Sequence, residues 1–468
     1  MKFFKFLGMT AVSLTAYFTF MPVASVQAEE IKPIIIQNYK TLDTSKFSKP
    51  SSDKINTISA SDLNIISEQR AIMSKKNSLF SNKIKAGKVT NQKRSGRCWM
   101  FATLNAMRPA IFKKYNLEDY ELSENYLFFW DKMEKANYFL ELIISSADRD
   151  LTDREIKFFM KDPVPDGGHW NYTTALIEKY GVVPKTEMDE TANSDDSTKM
   201  NKVLYFLMRK DAQLLRDMIK NGASKDEVTA KKEAMLAEVY SILCACLGEP
   251  PKTISFRYEN KDKKVSDDKI MTPQEFFKEL NFNFNDYVCL LNVPCWNYGE
   301  LYEVINMKNV VEAQGMHMLN LNIDDIKSVA VKSILGGDTI WFSADAGKDM
   351  NRVTGLMADN LWDYSTLFNV DLKQDKGNKL LYGNLFATHA MLITGVDLNA
   401  SKKPVKWQVQ NSWGKVPGED GYFNMYDNWF SENVIQVVVH KKYLTPEMSK
   451  AFEGKVNEIP EFDPLKGI

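Results

Sequence analysis

The sequence predicts an α+β fold, and two contrasts in its texture carry that prediction. In the first half, apolar residues recur at helical spacing, as at Phe101, Leu104, Met107 and Ile111. After about residue 284 the pattern turns to short strand-like runs at 287–291, 339–342 and twice more near the end. Between them, residues 186–275 are rich in Lys, Asp, Glu, Met and Leu with helical periodicity, and read as a helical insertion. Helices segregated from strands in this way mark the α+β class. The 468 residues, 44% of them hydrophobic and 26% charged, leave ample apolar surface for a core and exclude a disordered or membrane-embedded chain.

Taken in order, residues 1–28 read as a Sec-type signal peptide. Lys2 and Lys5 precede an uncharged run at 6–20, Pro22 ends it, and Val26-Gln27-Ala28 sets small residues at −3 and −1 of a cleavage point. The mature chain is therefore expected outside the cytoplasm, secreted or periplasmic, with no membrane association after signal removal. Residues 29–75 form an arm, extended and polar to about 60, followed by a helix capped by Ser61-Asp62 that runs to about Ser74. Residues 76–185 are helical and include a helix from Cys98 that ends before Asn116. The insertion takes 186–283, with helices expected over 200–218 and 225–247. Residues 284–445 are strand-rich, and 446–468 form a C-terminal arm.

Charge and cysteine usage narrow the function. With 60 Lys+Arg against 61 Asp+Glu, no basic excess points to nucleic acid. Five cysteines are too few for a disulfide framework, and their odd number leaves one thiol without a partner within the chain. Cys244-x-Cys246 and Cys289-x5-Cys295 lack the two- to four-residue loops of structural zinc sites, so neither metal nor cofactor is expected. Disulfides among those four remain open.

Three motifs carry chemistry. In Gln92-Lys93-Arg94-Ser95-Gly96-Arg97-Cys98-Trp99, the thiol opens a helix, where the dipole favours thiolate. Gln92 offers a side-chain N–H toward the same spot as the Cys98 backbone N–H, and such a pair makes an oxyanion hole. The second and third are Thr388-His389-Ala390-Met391 and Gln410-Asn411-Ser412-Trp413-Gly414. Residues 389–396 and 405–411 read as the strands of one hairpin. Pairing Val396 with Val405 sets His389 opposite Ser412, one step from Asn411, where a neutral amide orients the imidazole. Trp413 would shield that bond from water. In Asp166-Gly167-Gly168, two glycines let a peptide approach the main chain strand to strand. Set against this, Cys98 could be a small buried hydrophobe, His389 a structural histidine and Gly167-Gly168 an ordinary turn.

Gln-x5-Cys-Trp, a strand histidine and Asn-Ser-Trp-Gly are the pattern of papain-like cysteine peptidases. His389 and Asn411 follow Cys98 by 291 and 313 residues, roughly double the usual 130–150. With this insertion the chain resembles the bleomycin hydrolase/aminopeptidase C family. The likeness extends through Val89-Thr90-Asn91-Gln92-Lys93, Tyr180-Gly181-Val182-Val183-Pro184-Lys185, Trp341-Phe342 and Trp429-Phe430-Ser431-Glu432. The resemblance implies a two-lobed papain-like fold, with a helical lobe and an antiparallel β-barrel-like lobe. It implies Cys98 as nucleophile, His389 as base and acid, Asn411 as orienter, Gln92 as oxyanion donor, and Gly167 and Gly168 as substrate contacts. It further implies a barrel-like homohexamer acting on peptides. There the C-terminal arm lies in the cleft, and the terminal carboxylate, here that of Ile468, anchors the substrate's α-amino group. Three features depart from the family pattern: the ending Leu465-Lys466-Gly467-Ile468, the signal peptide, and His169 with Asn171 after the glycine pair. A loosely filled cleft would make the protein an endopeptidase; loss of chemistry would make it a peptide-binding protein.

Overall fold

The computed structural model describes residues 50–460 and Asp463. The signal segment, residues 29–49 of the N-terminal arm, and the tail residues with Ile468 lie outside the described residues. Those up to Asp62 form a unit of their own. Its Ser52–Ser59 helix is capped by Ser51, whose Oγ accepts the Lys54 N–H at 3.2 Å. The arm is thus not extended up to residue 60: the Ser51 cap and Asp53 in the first turn favour two helical turns although most of these residues are weak helix formers.

The described residues from Leu63 onward form the second unit. The single helix expected to reach Ser74 is two short ones, Leu63–Ser67 and Arg70–Met73. Between them Glu68 bridges Trp362 and the Gln69 N–H donates to the Leu361 carbonyl at 3.0 Å, so long-range pairing takes the backbone groups that a continuous helix would use. The helix Cys98–Tyr115 ends as expected, with Asn116 in the left-handed region at φ 53°. Helices Thr198–Lys220 and Lys225–Leu247 form the insertion, the second opened by a Ser224/Glu227 capping box. The insertion is not wholly helical: Ile254–Phe256 and Lys269–Met271 make a small hairpin before the helix Pro273–Leu280. Nor does it have a separate core. Met200, Met208, Val239 and Leu243 share one buried cluster with Leu104, Phe128 and Leu140 of the Cys98–Tyr115 and Glu124–Ser145 helices.

The strands outside that hairpin join one sheet. Its centre runs Tyr287–Leu291, Val434–His440, Ile340–Ala344, His389–Leu398, Pro404–Gln410 and Tyr422–Tyr426, paired antiparallel throughout. The margins are mixed, with parallel pairs such as Tyr287–Leu291 beside Met318–Asn320. A second buried cluster packs this sheet against the helix Ile323–Leu335. The hairpin register differs from expectation: Val396 pairs with Trp407, not Val405. The turn is tighter, with Asn399 Oδ1 accepting the Ser401 and Lys403 N–H groups. A bulge between Ile393 and Gly395 then shifts the pairing, where the short strand Asn82–Lys83 docks on Gly395 and Val396. All five cysteines are free. Among the described residues no helix is long and apolar enough to cross a membrane, and no group of three His, Cys, Asp or Glu could hold a metal ion.

Candidate active site

Arg97 anchors the chain just before Cys98. It is fully buried, and its guanidinium donates to both Glu190 oxygens at 3.2 and 2.8 Å and to the Ser194 carbonyl at 2.8 Å. It also stacks on Phe101 and Phe128. Cys98 follows as the first helical residue, and the Ala390 N–H points at its sulfur from 3.5 Å. That contact carries the thiol to the strand that begins with His389. Burial pushes the Cys98 thiol above its ordinary value, although the N–H groups of Ala390, Trp99 and Cys98 itself favour the anion. The helix start therefore contributes as expected but is outweighed by burial.

The ring of His389 is fixed by two bonds that leave one arrangement. The Ser412 backbone N–H donates to Asn411 Oδ1 at 2.7 Å, which identifies that atom as the oxygen. His389 Nε2 lies 2.8 Å from the same oxygen and must therefore carry the proton. Nδ1 is left as the basic nitrogen. Burial lowers the His389 pKa to about 4, against the Asn411 bond and with the aid of Arg352. Trp413 stacks on the imidazole with centroids 4.7 Å apart and 24° between planes.

Gln92 is equally constrained. Its Nε2 donates to the Ser95 carbonyl at 2.6 Å, and its Oε1 accepts from Ser412 Oγ at 2.6 Å. An amide nitrogen has two hydrogens, so one N–H remains for the cleft. Ser412 thus touches both Gln92 and Asn411, a link that sequence reasoning missed. Its place inside Asn-Ser-Trp-Gly was the only available signal.

Gly167 and Gly168 divide their work. A Cβ on Gly168 would lie 2.7 Å from the Trp99 ring, whereas Gly167 has open space. The strip is held from beneath: Lys135 Nζ donates to the carbonyls of Pro165 and Gly167 at 2.8 and 2.7 Å and to Asp131. Burial opposes charge on Asp166, yet Lys132 and bonds from Ser197 and Asn201 hold its carboxyl well below the usual range. A cavity of about 650 Å³ opens here, lined by Gln92, Cys98, Gly167, Gly168 and His389 together with Phe139 and Phe159. His169 lines it too; Asn171 turns away and donates to the Met307 carbonyl at 3.0 Å. Of the C-terminal arm, Val456–Ile459 pairs parallel to Leu301–Val304, and the Ile305 N–H donates to the Ile459 carbonyl at 2.9 Å. Ile305 itself lines the cavity. Ile468 lies outside the described residues, so its expected role is unplaced.

A sequence model described as the Peptidase C1-like family matches residues 36–466. Aminopeptidase C of Streptococcus thermophilus is 41% identical over 393 residues, 83% of this chain and 88% of that protein. Bleomycin hydrolase of Mus musculus is 38% identical over 390 residues, 81% of this chain and 86% of that one. The crystal structure of PepW from Lactobacillus rhamnosis HN001 superposes with a TM-score of 0.86 at 41% identity, covering 88% of this chain and 94% of that one.

Proposed function

This chain belongs to the Peptidase C1-like family, and from that premise and the site geometry we propose that it is a cysteine aminopeptidase releasing N-terminal residues from peptides. The observation that carries the chemistry is the fixed tautomer of His389, whose Nε2–H is committed to Asn411 and whose Nδ1 is free to act as base. His389 takes the thiol proton as Cys98 Sγ attacks the carbonyl carbon of the N-terminal residue. The second Gln92 N–H and the Cys98 N–H receive the developing oxyanion, a contribution of about 10²–10³ in rate per donor. The intermediate collapses as His389 returns its proton to the leaving amine, which departs from a thioester on Cys98. Water then attacks the thioester, gives a proton to His389, and restores the thiol as the carboxylic acid leaves.

The exopeptidase part of the reading rests on the names of the relatives and on the course of the arm, whose strand Val456–Ile459 runs parallel to the strand leading into the cavity wall. In this reading the arm fills the non-primed side, and the Ile468 carboxylate meets an α-amino group that is largely cationic near neutral pH. The two buried clusters, one mainly helical and one behind the sheet, support a two-lobed papain-like arrangement with a barrel-like second lobe. We further propose export by the 1–28 segment and assembly as a homohexamer, without nucleic-acid partners. Cys98→Ala tests the chemistry: turnover of aminoacyl fluorogenic substrates should fall to background with the fold intact, and retained turnover would remove Cys98 from the mechanism.

A further inference from the structure

Trp413 carries a second contact besides His389. The Arg352 guanidinium lies over its indole, 4.7 Å from the centroid, a cation–π distance. Arg352 sits at the tip of the tight hairpin formed by Met350–Asn351 and Leu356–Met357, and the Gly418 N–H pins its carbonyl at 3.2 Å. The side chain is exposed, and no carboxylate among the described residues pairs with it. Val353, the next residue, is 82% exposed, and its carbonyl accepts from the Gly418 N–H as well. An ordinary surface arginine is free to sweep through solvent; this one is held on an aromatic ring, aimed and unneutralised.

Its position relative to the reaction is defined. Neither Trp413 nor Arg352 lines the cavity containing Gly167 and Gly168; Arg352 borders a separate cavity beside Asn351 and Trp362. His389 must reach the leaving nitrogen to protonate it, and residues beyond the scissile bond therefore pass the flank that Trp413 covers. The two 4.7 Å separations put the guanidinium no more than about 9 Å from the imidazole centroid. Two residues of extended chain span at most about 7 Å.

We propose that Arg352 is a specificity residue on the leaving-group side, binding a carboxylate one or two residues beyond the scissile bond. This rests on the aminopeptidase reading and sharpens its substrate class. The favoured peptides are those whose own α-carboxylate falls there, di- and tripeptides, and longer ones with Asp or Glu at that position.

The test compares one tripeptide as its free acid, as its C-terminal amide, and as an amide carrying Glu as third residue, following release of the first residue by chromatography. An exposed charge pair is worth up to about 1 kcal/mol, so the wild type should show kcat/KM roughly three- to fivefold higher for the free acid than for the plain amide. The Glu amide should regain that advantage. In Arg352→Gln both ratios should fall to about one, while Arg352→Lys should keep part of them. If Arg352 only braced Trp413, every substrate would slow equally and the ratios would persist in Arg352→Gln; that outcome, or a wild type indifferent to the carboxylate, overturns the proposal. Release of no N-terminal residue from any of the three by the wild type would overturn the aminopeptidase reading beneath it.

Discussion

Ser412 is the residue on which the site geometry converges. Its N–H fixes the Asn411 oxygen toward His389, and its hydroxyl fixes the Gln92 oxygen, so that the amide nitrogen faces the cleft. Ser412→Ala leaves the backbone bond and removes the second. Gln92 then loses one of two anchors, and kcat should drop about tenfold, the equivalent of roughly one hydrogen bond, with KM little changed. Steady-state kinetics on an aminoacyl substrate measure this; an unchanged kcat would mean that Ser95 alone positions Gln92. Cys98 and His389 stood out in the sequence because cysteine and histidine are scarce here, and Gln92 and Asn411 because each sits in a local pattern with chemical meaning. Ser412 and Arg352 were not, since a serine or an exposed arginine reveals its partner only when the chain is folded. The glycine pair was legible as a pair, but the reason for Gly168 is the Trp99 ring, a contact across 69 positions.

At the scale of elements, the helix Cys98–Tyr115 could be bounded from sequence because its apolar spacing and its terminal Asn116 are local signals. The same holds for Lys225–Leu247. The break at Glu68 and Gln69 could not, as the backbone that interrupts the helix lies nearly 300 residues away at 361–362. The hairpin register failed at the turn, where Leu398 pairs with Pro404 and Asn399 Oδ1 gathers the Ser401 and Lys403 N–H groups, a closure that the alternation within 389–411 does not announce. The active-site helix depends on one buried ion pair. Burial opposes the charge on Glu190, but Arg97 and Lys185 bring its pKa to about 2. Arg97→Ala leaves Glu190 beside Lys185 alone and empties the space against Phe101 and Phe128. Breaking such a pair costs about 3–5 kcal/mol, which a urea titration of wild type and variant resolves. A loss below 1 kcal/mol would show that the helix start is held by its other contacts.

At the scale of the molecule, the insertion and the Glu124–Ser145 helix share a core, so the doubled length is one cooperative body from Leu63 onward rather than an added module. Two histidines, His389 buried and His169 half-buried on the cavity wall, give this body an acid limit. Burial lowers both His169 and His389 from 6.5 to about 4. Between those values the unfolded chain binds protons that the folded chain does not, so stability falls as pH drops from about 6.5 to about 4. His169→Gln and His389→Gln should each flatten that slope by up to one proton, as read from denaturation midpoints at several pH values; an unchanged slope in both would contradict their neutral burial. The limit is separate from that of Glu190, whose contribution is present above its ordinary 4.5 and is lost as pH falls toward 2. The central claim concerns the whole assembly of cleft, cavity and arm: peptides are opened from the N-terminus, one residue at a time. The direct test offers the enzyme one peptide with a free and with an acetylated N-terminus and follows the products by mass. The claim predicts stepwise shortening of the free peptide and none of the acetylated one. Equal cleavage of both, at internal bonds, would contradict it and make the protein an endopeptidase.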